Sequence, residues 1–109
     1  MSIRALRYLI ALADCLNFTR AAERCCVTQS TLSIQLRKLE EYLGVTLFDR
    51  NRVQVTLTAE GHRALRYARV VVRAADRMVA ISRAEQQRLQ AHRPEHLIEE
   101  INCVVGPQD

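Results

Sequence analysis

Apolar positions recur at helical spacing along most of this chain and switch to alternation once, near residue 55. In VTQSTLSIQLRKLEEYLG, Leu32, Leu36, Leu39 and Leu43 stand at i, i+4, i+7 and i+11, so one stripe of this helix faces a core. Thr28 is placed to cap it and Gly44 to end it in a left-handed turn. Upstream, Ile3, Leu6, Leu9, Ile10, Ala13 and Leu16 give a scaffolding helix over 3–16, with Arg4, Arg7 and Asp14 off its apolar side. Asn17 interrupts the pattern. Thr19 is the expected cap of a short second helix, whose Ala21 and Ala22 permit a tight crossing. Cys26-Val27-Thr28 then spans the three residues that join the helices of a helix-turn-helix, with Cys26 near the position usually held by Gly.

Alternation begins after Gly44. Val53, Val55 and Leu57 point one way, Gln54 and Thr56 the other, which predicts a short strand anchored by Leu47 and Phe48. The loop Asp49-Arg50-Asn51-Arg52 between them makes a wing with two cations at its tip. Thr58 starts a long helix to about residue 90. Leu65, Ala68, Val72, Ala75 and Val79 follow 3,4 spacing there, widened by Ala64, Val71 and Met78, and Arg63, Arg66, Arg69, Arg73 and Arg77 lie opposite. About 30 residues at ~1.5 Å each give a rod of ~45 Å. A second copy is the economical cover for its apolar stripe, in a two-fold dimer, although a helix folded back on its own domain is the plainer alternative. Pro94 ends the helical pattern. The expected organisation is mainly α: a winged helix-turn-helix over 1–58, a linker and dimerisation helix over 59–90, and an irregular acidic tail over 91–109.

The chemistry sits on the face of the 27–44 helix opposite the leucines. Gln29, Ser30, Ser33, Ile34 and Arg37 gather there, with Thr28 and Thr31 at the same end. A capped helix presenting Gln and hydroxyls suits a DNA major groove: Gln pairs with adenine through two hydrogen bonds, and a helix N-terminus favours a phosphate. Read without its neighbours, the same helix is more simply an amphipathic core helix with a solvated polar face, and the plainer alternative for the wing is a solvated hairpin. Charge favours DNA. The net +4 divides into +7 over residues 1–90 and −3 over 91–109, and 14 of the 15 cations in the first part are Arg. Arg4, Arg20, Arg24, Lys38, Arg50 and Arg52 are the candidates for phosphate neutralisation.

Composition excludes other classes. Aromatics at 5% with no Trp do not suit a single-strand binder that stacks bases. No apolar run reaches the ~20 residues of a membrane span, so a cytoplasmic protein is expected. Cys15, Cys25, Cys26 and Cys103 have no zinc spacing, and Cys15 and Cys25 are expected as small buried residues. His62, His92 and His96 are scattered, without a carboxylate pair or a nucleophile beside them, so neither an enzyme nor a cofactor is expected.

FTRAAERCCVTQSTLSIQLRKLEEYLGVTLFDRNRVQVTLTAEG resembles the N-terminal DNA-binding domain of LysR-type transcriptional regulators. The resemblance runs from residue 1 to about 90. It rests on FTRAAE, the V-[ST]-Q-x-[AT]-L-S start, the R-K-LE-x-x-LG stretch, LF-[DE]-R and LT-x-x-G. It implies a winged helix-turn-helix with a dimerising linker helix that binds an interrupted palindrome near a promoter. It places Gln29, Ser30 and Ser33 at bases or adjacent phosphates and the wing Arg in the minor groove. Thr28, Gln29, Ser30, Thr31, Ser33, Ile34, Arg37, Arg50 and Arg52 are therefore the expected DNA-contacting set. Leu65, Ala68, Val72, Ala75 and Val79 are the expected dimer seam. Ser30 stands where many members have Pro, Ile34 where some have Arg, and Arg52 one residue before the usual wing Arg, a place taken by Val53. The resemblance also implies a larger effector-binding domain, for which no site is expected in these residues. The alternative function is an interaction module that pairs through its linker helix with a full-length relative.

Overall fold

The computed structural model describes residues 1–51 and 54–91. In order come α1 (Ile3–Cys15), α2 (Phe18–Arg24), α3 (Gln29–Leu43), β1 (Phe48–Asp49), β2 (Thr56–Leu57) and α4 (Ala59–Gln90). The chain divides into a unit over Met1–Arg73 and a second over Ala74–Asp109, so the first part of α4 belongs with the helix-turn-helix.

Local chemistry fixes the helix ends. The Ser2 hydroxyl accepts from Ala5 N–H and the Asn17 side chain from Arg20 N–H, so Asn17, and not Thr19, caps α2. Thr28 accepts from Thr31 N–H, and Gly44 closes α3 at φ 73°, both as the sequence predicts. The turn before α3 holds Cys26 at φ 57°, a left-handed conformation without the glycine that usually relieves it. Cys26→Gly is therefore expected to stabilise the domain by ~0.5–1 kcal/mol net of glycine's extra unfolded-state entropy. Urea unfolding of the two proteins checks this, and a lower midpoint for the glycine variant would contradict it.

The core of the first unit takes a wider arc of α1 than the predicted stripe. Ala5, Leu6, Tyr8, Leu9, Ala11 and Leu12 are buried, whereas Ile3 is exposed and Ile10 and Ala13 lie half-buried at the margin. Ala21 and Ala22 of α2 are buried, as are Leu32, Leu36 and Leu39 of α3, while Leu43 emerges at the helix end. Cys15 and Cys25 pack half-buried against this core and Cys26 is exposed. The wing is smaller than the alternation suggests. Two-residue strands pair antiparallel, Phe48 with Leu57 and Asp49 with Thr56. Val53 lies outside the described residues, as does the tail from His92.

One side of α4 is claimed by its own domain. Ala68 and Val72, expected to face a second chain, are 2% and 8% exposed and join the core cluster. A side chain already buried within its own fold has no surface left for a partner, so these two leave the seam. Leu65 and Ala75 are half-buried. The exposed large apolar residues of α4 in this unit are Tyr67, Val70 and Val71; in the second unit they are Met78, Val79, Ile81 and Leu89. Arg69 is also removed from the free basic face. Its guanidinium donates to Asp14 at 2.8 Å, and Arg24 donates to the same carboxylate at 3.0 Å, which links α1 to α2 and α4. The hydrogen bond from Arg69 and then that from Arg24 outweigh desolvation and hold the Asp14 carboxyl below its ordinary range.

Candidate nucleic-acid interface

The first turn of α3 presents Thr28, Gln29, Ser30 and Thr31 to solvent, followed by half-buried Ser33, exposed Ile34 and exposed Arg37. Thr28 is occupied locally, accepting from Thr31 N–H at 3.1 Å and donating to the Thr31 hydroxyl at 3.0 Å. Gln29 is held from outside its own helix: its Nε2 donates to the Thr19 hydroxyl of α2. Gln29, Ser30, Ser33 and Ile34 line an open groove of about 470 Å³ together with Phe18 and Arg50. On the other side of Arg50, a second hollow is lined by Arg37, Asp49, Asn51 and Thr58, among others. The structure thus brings most of the predicted α3 set onto one concave surface.

Arg50 departs from expectation. The sequence makes it a free cation at the wing tip, but it lies half-buried against α3. Its Nη1 donates to Glu40 Oε1 at 2.8 Å, and its guanidinium sits 5.9 Å from the centre of the Phe18 ring. A guanidinium withdrawn from water needs a carboxylate, and Glu40 supplies one. Its Nε and Nη2 are buried without a hydrogen-bond partner among the described residues. Arg52 lies outside them.

Glu40 does more than neutralise Arg50. Its other oxygen accepts from Leu47 N–H at 2.7 Å and Phe48 N–H at 3.3 Å, so one carboxylate of α3 fixes both the entry to β1 and the cation that follows it. The far side of the wing is fixed by Thr58. Its hydroxyl accepts from Gly61 N–H at 2.9 Å and donates to Thr46 C=O at 2.6 Å. Sequence reasoning missed Phe18, Thr19 and Glu40 as parts of the site. The available signal was the pairing of the Glu in LE-x-x-LG with the Arg in LF-D-R, ten residues apart, both within the stretch that carries the family resemblance.

Residues 3–62 match the family described as bacterial regulatory helix-turn-helix protein, lysR family. The chain belongs to the LysR family. Among its relatives, the hydrogen peroxide-inducible genes activator of Pectobacterium carotovorum subsp. carotovorum is 49% identical over 73 residues, which are 67% of this chain and 24% of that protein. Two solved LysR-family domains carry the same fold on DNA. The BenM DNA-binding domain bound to catB site 1 DNA has 38% identity and a TM-score of 0.73, covering 77% of this chain and 94% of that one. The corresponding CbnR complex has 40% identity and a TM-score of 0.72, covering 78% and 98%. BenM as a whole, from Acinetobacter baylyi, is covered only to 27%, so this chain spans about a quarter of the length of the curated relatives it matches. Among the described residues no helix is long and apolar enough to cross a membrane.

Proposed function

We propose that this chain binds double-stranded DNA sequence-specifically, as the DNA-binding part of a LysR-type transcriptional regulator, and that it does so as a homodimer on an interrupted palindrome. The observation that carries the reading is the likeness to the BenM and CbnR domains on DNA. The groove lined by Gln29, Ser30, Ser33 and Ile34 supports entry of α3 into a major groove, with Gln29 as the base-reading side chain and Ile34 suited to a thymine methyl. Arg37, Arg4, Arg20 and Lys38, all exposed, are the cations for phosphate. Arg52 is assigned to the wing contact from its place in the sequence.

Dimerisation is supported by the apolar residues that α4 leaves exposed. With Ala68 and Val72 buried, the 3,4 spacing continues through Tyr67, Val71, Ala74, Met78 and Ile81, and we assign the partner-facing seam to these residues together with Leu65, Ala75 and Val79. A two-fold pair places two recognition helices on half-sites of one operator. Selection of bound fragments from random duplex DNA tests both parts. A two-fold enriched motif is expected, and Gln29→Ala is expected to cost ~1–3 kcal/mol on it and little on random DNA. An equal loss on both would reduce Gln29 to a phosphate anchor, and a motif without symmetry would remove the dimer.

A further inference from the structure

We infer that Thr19 sharpens the base preference of this domain by anchoring the Gln29 side chain to α2 before it meets a base. The inference rests on the DNA-reading role proposed for Gln29. A carboxamide carries an acceptor on one side and a donor group on the other, and half a turn exchanges them. To pair with adenine, Gln must accept from N6 and donate to N7. Turned over, its NH₂ faces the position that guanine fills with O6. A free Gln at an exposed helix N-terminus also swings among rotamers, must be ordered when it meets a base, and loses discrimination thereby.

The structure restrains that swing. Gln29 Nε2 gives one of its two hydrogens to the Thr19 hydroxyl, which leaves the second hydrogen and Oε1 for a base. Thr19 is available because Asn17 caps α2 in its place. Thr28, the cap that precedes Gln29, is committed to Thr31. Ala21 and Ala22, buried where α2 meets the core, keep the two helices close enough for a short side chain to reach across the turn. Thr19 is thus a positioning residue that acts on DNA through Gln29.

The test uses the 109-residue chain, a duplex that it recovers from a random-sequence pool, and the same duplex with A·T replaced by G·C at the pair read by Gln29. Thr19→Val keeps the shape and removes the acceptor, and is expected to lower the preference for A over G about tenfold with helix content unchanged by circular dichroism. Thr19→Ser keeps the acceptor and should retain the preference within about twofold. In a Gln29→Ala background Thr19→Val should add nothing, because both changes remove one device. If Thr19→Val weakens selected and random duplex by the same factor, or if the two losses multiply in the double variant, the inference falls while Gln29 keeps its role. If the wild-type chain recovers no preferred sequence, the DNA-reading role falls and takes this one with it.

Discussion

Replacing Glu40 by alanine is expected to cost the folded domain about 3 kcal/mol, the lower end of the range for breaking a buried ion pair, because Arg50 keeps part of its surface in water. Two losses combine. Arg50 keeps its place between α3 and Phe18 with no carboxylate, and its Nε and Nη2 already lack partners among the described residues. Leu47 and Phe48, both buried, lose the oxygen that satisfies their N–H groups. Glu40→Gln separates the two, since its amide oxygen still accepts from the backbone while the charge is gone, and it should cost about half as much. Urea unfolding at constant m measures both. Arg50→Met in the Glu40→Ala background should recover part of the loss, because the uncompensated charge is then removed. A loss below about 1 kcal/mol for Glu40→Ala would mean that Arg50 swings out to water and that the pair is an ordinary surface bridge.

The same pair marks where the sequence stops being legible. Thr28 and Gly44 were readable because a cap depends on residues within one turn of it. Asn17 and Thr19 are two cap-competent residues side by side, and only the path of the chain decides that Asn17 caps while Thr19 turns towards Gln29. The α3 face was readable from its period, since a single leucine stripe leaves one side for chemistry. On α4 the period misled in part. Two apolar rows at 3,4 spacing run along it, and spacing alone does not say that the row with Ala68 and Val72 turns inward. On α1 the buried face includes Ala5, Tyr8 and Ala11, small or amphipathic residues that weigh little in a hydrophobic pattern. The sequence makes Arg50 a wing cation because its partner stands ten residues away on another element.

Gly61→Ala is expected to destabilise by about 2–3 kcal/mol, against the usual sign for a glycine inside a helix. In an open helical position the change would gain up to ~1 kcal/mol, because alanine is the better helix former. Here a Cβ would stand 2.1 Å from the Leu47 carbonyl oxygen and 2.8 Å from Leu57 Cδ2. The oxygen is backbone and is held by Thr58 N–H at 3.0 Å, so it retreats only by opening the cap of α4 or the β1–β2 pair. The steric loss therefore exceeds the helical gain. This is a physical account of the LT-x-x-G motif: Leu57 pairs in the wing, Thr58 caps, and Gly61 lets the start of α4 sit against the strand entry. Gly44→Ala is the control. Its φ of 73° is strained for alanine but its surroundings are open, so it should lose only ~1–2 kcal/mol, from conformation alone. Because Thr58 and Leu47 also position the wing, Gly61→Ala should weaken DNA binding at temperatures where the domain is still folded, whereas Gly44→Ala should not. Thermal unfolding followed by binding to the selected duplex distinguishes them, and a Gly61→Ala protein more stable than wild type would show that the close approach does not exist.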